Sequence, residues 1–232
     1  MAKILLLETS GVILSVALSR DGRVVAERVC REPRMQASLT APLVKEVLEE
    51  AEMGPRGLDA VCVSKGPGSY TGLRVGVSTA KGLCFGADVP LIAVSTLDIL
   101  AADGRSPVIP DLIGDLTAIV PMIDARRMEV YTAVYSPAGE RLTEIEAKVV
   151  GPDSFAAELA AGPVLFIGDG ALKCKAVLDS PNAIFREAFP LASAMAPMAE
   201  KAYKEKQFED LAYFEPFYLK DFVATIPKKN LF

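Results

Sequence analysis

The sequence predicts an α/β protein made of two copies of one unit, each running strand, strand, strand, helix, strand, helix. Three observations carry that expectation. Triplets of short β-rich runs occur twice, each triplet is followed by a helical pattern and then a buried-type strand, and the proline- and aspartate-rich stretch Asp103 to Asp115 lies between the two sets. With 232 residues there is room for two lobes of roughly 110 residues each, and the expected division is 1–105 and 106–232.

In the first unit, Ile4 to Thr9, Val12 to Ser19 and Arg23 to Val29 are the β-rich runs, separated by Ser10-Gly11 and by Arg20-Asp21-Gly22. They predict an antiparallel meander. From Ser38 to Met53, Leu39, Leu43, Val47 and Ala51, flanked by Val44 and Leu48, form a helical stripe. With Ser38 as the cap, Pro42 falls in the first turn, where a missing N–H costs nothing. Met53 to Gly57 breaks the helix, and Leu58 to Ser64 reads as a buried strand. After the turn Gly66-Pro67-Gly68, Thr71 to Phe85 is helical by period. Arg74, Ser78 and Lys81 lie on one of its faces, and Gly72, Gly76 and Ala80 on another.

In the second unit the strands are Thr117 to Asp124, Glu129 to Ser136 and Arg141 to Val149, with a hairpin turn at Ser136-Pro137-Ala138-Gly139. Ser154 to Ala161 predicts a helix, Pro163 to Gly168 a strand, and Leu191 to Lys206 a long terminal helix with a tail beyond it.

Composition narrows the function. Apolar residues make up 51% of the chain and charged residues 24%, enough to fill a core, and the longest apolar runs fall short of a membrane span. The expected location is the cytoplasm, with no membrane contact. A net charge of −5 supplies no general basic field for nucleic acid. Cys30, Cys62, Cys84 and Cys174 are scattered without a CxxC pair, which predicts free structural thiols and no metal site. Histidine is absent, which removes Ser-His and Cys-His nucleophiles, HExxH zinc chemistry and every imidazole base.

Val63 to Gly86 holds six of the 17 glycines, and two readings compete for them. Gly72 and Gly76 each cost up to about 1 kcal/mol relative to alanine inside a helix, so a close backbone approach must offset them. That approach comes either from within the chain or from a partner. The other reading is a phosphate cradle, with Gly66, Gly68 and Ser69 before a helix start and Glu8, Thr9 and Ser10 at the first hairpin as anion or nucleotide contacts. No GxxxxGK[ST] or GxGxxG supports it, and Lys65 precedes the turn. Asp124 and Asp169 are further carboxylates at expected strand ends.

The segment GPGSYTGLRVGVSTAKGL (Gly66 to Leu83), with LLLETSGVILSVAL, IDARRMEVYTAVY (Ile123 to Tyr135), FIGDGA and PFYLK, closely resembles the TsaB (YeaZ) family along nearly the whole chain. The resemblance implies two RNase-H-like lobes of the actin, sugar-kinase and Hsp70 (ASKHA) class. It also implies a non-catalytic subunit of the bacterial machinery that forms threonylcarbamoyladenosine at position 37 of tRNAs. Its partner would be the catalytic paralogue TsaD, holding ATP and metal, with the TsaE ATPase and tRNA reached through the complex. In isolation a homodimer is expected. The first-lobe helices form the family interface, which here maps to Leu39, Leu43, Val47, Gly72, Leu73, Gly76, Val77 and Ala80.

Two positions depart from the family pattern. Gln36-Ala37-Ser38 stands where a His-Ser-Glu is common, and Glu8-Thr9-Ser10 where Asp-Thr-Ser is common. The alternatives are a stand-alone ATP-dependent phosphotransferase using Glu8 or Asp124 as its metal carboxylate, and a peptidase. The missing histidine and activated nucleophile weigh against the peptidase.

Overall fold

A computed structural model describes residues 2–104 and 116–220. β1 (Lys3–Glu8), β2 (Leu14–Arg20) and β3 (Arg23–Cys30) form the expected antiparallel meander, and β4 (Ala60–Gly66) and β5 (Leu91–Ser95) add in parallel on the other side of β1. The sheet order is β3-β2-β1-β4-β5. In the second lobe the strands are β6 (Ala118–Asp124), β7 (Glu129–Thr132), β8 (Glu146–Val149), β9 (Val164–Ile167) and β10 (Ala183–Arg186). Their order, β8-β7-β6-β9-β10, repeats the first strand for strand. These are the two RNase-H-like lobes of the ASKHA class.

The central strand of each sheet is apolar on both faces because helices cover both. Leu5 and Leu7 of β1 point into the core beneath α1 (Gln36–Glu50) and α2 (Tyr70–Ala87), while Ile4 and Leu6 point the other way. On that other side lies the end of the chain, a 3-10 turn (Ala192–Met195) leading into a terminal helix (Ala196–Lys204), whose Ala192, Met195, Ala196 and Ala199 complete the second core of the first lobe. Reciprocally, α3 (Thr96–Gly104) sends Leu97, Leu100 and Ala101 into the second sheet, against Ile119, Ile123 and Leu165. Each unit thus lends a helix to the other's sheet, and α3 and the terminal helix form a shared middle layer. Short helices α4 (Ala156–Ala161) and α5 (Ala171–Cys174) precede and follow β9, and the terminal helix is α6.

Several expectations need correction. β5 and α3 lie in Leu91 to Gly104, where Leu97, Ile99, Leu100 and Ala101 are buried on all sides, so no amphipathic period separates strand from helix. α1 starts at Gln36, two residues before the expected cap, which places Pro42 inside the helix rather than in its first turn. The position is tolerable because Ser38, whose carbonyl loses its helical partner, faces solvent. The second and third strands of the second lobe are short, and beyond Thr132 and before Glu146 pairing survives only as bridges of Tyr135 with Ile119 and Arg141. The terminal helix begins at Ala196 after the 3-10 turn, because Pro197 is accommodated only at a helix start. α5 and β10 were not anticipated. Asp103 and Gly104 close α3, whereas residues 105–115 of the stretch expected between the two units lie outside the described residues.

Candidate functional site

β1 ends in Glu8, and the chain turns back through Thr9, Ser10 and Gly11. The structure brings this hairpin against the turn Gly66-Pro67-Gly68-Ser69, whose Gly66–Pro67 peptide is cis, so that of the six proposed anion contacts Glu8, Thr9, Ser10, Gly68 and Ser69 converge, while Gly66 faces Leu73 and the Phe217 carbonyl. They converge by packing on one another. Ser69 N–H donates to Ser10 O at 2.7 Å, Ser10 N–H donates to Glu8 Oε1 at 2.6 Å, and Thr9 Oγ1–H donates to Gly72 O at 2.8 Å. Ser69 Oγ accepts from Gly72 N–H at 3.3 Å as the cap of α2, which uses a donor an anion would want.

Glu8, Thr9 and Ser10 are sealed from solvent. Burial pushes the Glu8 carboxyl above the usual carboxylate range, and the nearby Ser10 and Ser64 groups only partly oppose it. Glu8 Oε2, Ser10 Oγ and Ser64 Oγ make no well-formed hydrogen bond, so the carboxyl sits in an under-satisfied, protein-filled site. Gln36, where the family pattern has histidine, donates from Nε2 to Gly11 O at 2.8 Å and ties the start of α1 to the hairpin tip.

The small-residue ridge of α2 faces the same hairpin from inside the lobe. A Cβ at Gly72 would stand 2.1 Å from Thr9 O, and one at Gly76 would stand 2.2 Å from Thr9 Oγ1 and 3.3 Å from Val63 Cγ2. Leu73, Val77, Ala80 and Val47 are buried in the same core, with Leu39 and Leu43 at its margin. The placement of Gly72, Gly76, Leu73, Val77, Ala80 and Val47 at a partner interface is therefore corrected. The close backbone approach that those glycines require is to the chain's own first hairpin.

What α2 turns outward is a different set. Gly82 and Gly86 have open space where a Cβ would stand, Phe85 is 84% exposed, and with Leu83 and the turn Gly54-Pro55-Arg56 the two glycines line an apolar depression of about 440 Å³. The Gly82–Gly86 spacing repeats the four-residue interval of the buried ridge one face away, so the signal was present in the sequence. Only packing distinguishes the two stripes.

The corresponding hairpin of the second lobe is open. Asp124, at the end of β6, is exposed and ion-paired to Lys173, whose Nζ also donates to Glu129 O at 2.7 Å. Asp169 Oδ1 accepts Asp124 N–H at 2.9 Å, and burial, aided by the Asp124 charge, raises the Asp169 pKa. The two carboxylates are thus brought together, but a lysine already pairs with Asp124. Among the described residues no group of three or more His, Cys, Asp and Glu side chains is arranged to hold a metal ion. Nor is any described helix long and apolar enough to cross a membrane. All four cysteines are free thiols; Cys62, Cys84 and Cys174 are buried, and burial raises Cys84 to about 11, far from nucleophilic.

Residues 34–228 match the family model described as TsaD: tRNA N6-adenosine threonylcarbamoyltransferase. The chain is 41% identical over 132 residues to the tRNA threonylcarbamoyladenosine biosynthesis protein TsaB of Bacillus subtilis, an alignment covering 57% of this chain and only about half (54%) of that relative. With the protein of the same name from Escherichia coli the identity is 30% over 231 residues, covering 96% of each. YeaZ from Pseudomonas aeruginosa superposes with a TM-score of 0.78 at 29% identity, over 94% of this chain and 100% of that one.

Proposed function

The chain belongs to the TsaB (YeaZ) family, and from that premise we propose that it acts in tRNA threonylcarbamoyladenosine formation by docking TsaD, without performing the chemistry itself. The observation that supports this reading is the pairing of a filled first-lobe hairpin with an outward apolar face on α2 and the turn Gly54-Pro55-Arg56 beside it. Glu8, Thr9 and Ser10 are buried, whereas Phe85, Gly82, Gly86 and the depression beside them face outward. A contiguous apolar surface beside small residues fits a helix-to-helix contact, since glycines let a partner backbone approach closely.

The TsaD family model also describes most of this chain, so a TsaD partner carries the same pair of helices and can meet them about a pseudo-twofold axis. The same symmetry argument predicts a homodimer through this face when TsaD is absent. ATP and metal then belong to the paralogue, and TsaE and tRNA are reached through the assembled complex.

The test is co-purification with TsaD. Gly86→Arg and Phe85→Glu place a charge in the contact without touching the core. Both variants are expected to melt like the wild type while losing TsaD binding and reconstituted tRNA threonylcarbamoylation by at least tenfold. Normal binding by both variants would remove this face from the interface. Magnesium-dependent ATP turnover by the isolated chain, abolished by Glu8→Ala, would overturn the non-catalytic reading.

A further inference from the structure

After α6 the chain runs as a strap along the first lobe. Glu209 N–H donates to Leu91 O at 2.9 Å on the free edge of β5, Leu211 and Phe214 pack on the margin of the first core, and Lys81 Nζ donates to Ala212 O and Phe214 O at 3.1 and 3.2 Å. Further on, Phe217 N–H donates to Lys65 O at 2.7 Å. The Tyr218 ring lies 4.8 Å from that of Tyr70, and its hydroxyl accepts from Arg74 Nε at 3.3 Å. Two residues later the strap has left the first lobe. Lys220 is ion-paired to Glu129 at the start of β7, and its Nζ lies 5.9 Å from the centre of the Tyr131 ring.

From Phe217 to Lys220 the chain can reach at most about 11 Å, so the strap crosses directly between the lobes. Elsewhere the two lobes meet through the middle layer of α3 and α6, which is apolar and continuous with both sheets. The strap makes a second attachment of different chemistry. Its first-lobe anchor combines a tilted ring contact, backbone hydrogen bonds and the partly buried Leu211 and Phe214, whereas its second-lobe anchor is the single side chain of Lys220, in a partly exposed ion pair beside the Tyr131 ring. Exposed ion pairs are among the weakest tertiary contacts and are screened by salt, so the attachment parts first at Lys220.

We propose that the segment 207–220 is a releasable latch that holds the two lobes at one relative angle, hinged on the α3–α6 layer and fastened by Lys220 on Glu129. The latch acts on the relation between the lobes and does not depend on what the outer face of α1 and α2 binds.

The test uses the full chain with Cys30→Ser and spin labels at Glu49→Cys in the first lobe and Leu142→Cys in the second, both exposed positions. Pulsed electron resonance is expected to give one narrow distance distribution at low salt that broadens at 1 M salt. Lys220→Glu broadens it at all salt concentrations, and the exchanged pair Lys220→Glu with Glu129→Lys narrows it again. A distribution in Lys220→Glu identical to wild type overturns the latch, as does an exchanged pair as broad as the single change. Should Glu129→Lys fail to melt cooperatively, Tyr218→Ala decides instead: broadening supports the latch, and an unchanged distribution overturns it.

Discussion

The two lobes share one strand order and differ at the hairpin that follows the central strand. In the first, an 18-residue helix lays Gly72 and Gly76 against Thr9 and closes the hairpin over Glu8. In the second, the four-residue α5 covers little, and Asp124 stays in water with Lys173 beside it. The same topology therefore gives a fully sealed carboxyl at the end of the central strand in one lobe and an exposed, ion-paired one in the other. What separates them is whether the helix after the second parallel strand can approach the hairpin, and that is decided by the side chains on one ridge.

The largest effect should come from blocking that approach. Gly72→Ala drives a methyl against the Thr9 carbonyl, a backbone atom that cannot rotate away, and should cost about 3 kcal/mol or more. At about 2–4 °C per kcal/mol for a chain of this size, Tm should fall by roughly 10 °C. Gly76→Arg should be insoluble. In the second lobe Gly170→Ala meets Val130 Cγ1 at 3.0 Å and Asp124 N at 3.1 Å, a milder conflict expected to cost about 1 kcal/mol. Equal losses at Gly72 and Gly170 would show that helix approach is not what distinguishes the lobes.

A smaller, pH-dependent effect belongs to Glu8. Its folded pKa is raised, so the stability linked to its proton is fully present below the unfolded pKa and is lost as pH rises through the folded one. Glu8→Gln keeps an acceptor for Ser10 N–H and removes the ionisation. The variant should match wild type near pH 4 and melt progressively higher than it as pH rises toward 8. A Tm difference independent of pH would show that folding leaves the Glu8 pKa unshifted.

The smallest effect is expected at the open hairpin. Asp124→Asn breaks a half-exposed ion pair, so stability should change by about 0–1 kcal/mol. Because the Asp124 charge helps raise Asp169, the same change should lower the Asp169 pKa, as read by carboxyl NMR titration. If the Asp169 pKa stays where it was, burial alone holds it up.

Much of this was open to reading from local pattern. The turns Ser10-Gly11 and Arg20-Asp21-Gly22 delimit β1 to β3, and the stripe Leu39, Leu43, Val47 and Ala51, flanked by Val44 and Leu48, marks α1, because half-buried elements carry their own period, although packing buries Val44, Val47 and Leu48 most deeply. Leu91 to Gly104 resisted the same method: an element covered on every side is apolar throughout, and its period disappears. The site was legible as a set of residues but not as an environment. Glu8, Thr9, Ser10, Gly68 and Ser69 were identified as neighbours, yet nothing local said that they would use one another's hydrogen bonds.

The sequence by itself determined the duplicated strand pattern, the absence of imidazole chemistry, the free thiols and the presence of closely spaced glycines on α2. Tertiary structure alone decided which glycines face inward, that each lobe borrows a helix from the other, and that Lys220 of the strap meets Glu129 of the second lobe. The reason is physical. Secondary structure and residue chemistry are written within a few residues, whereas the two glycine stripes of α2 differ by about a third of a turn of rotation about the helix axis. That rotation is settled only by tertiary contacts, with Val63 on the preceding strand and with Thr9 far away in the chain.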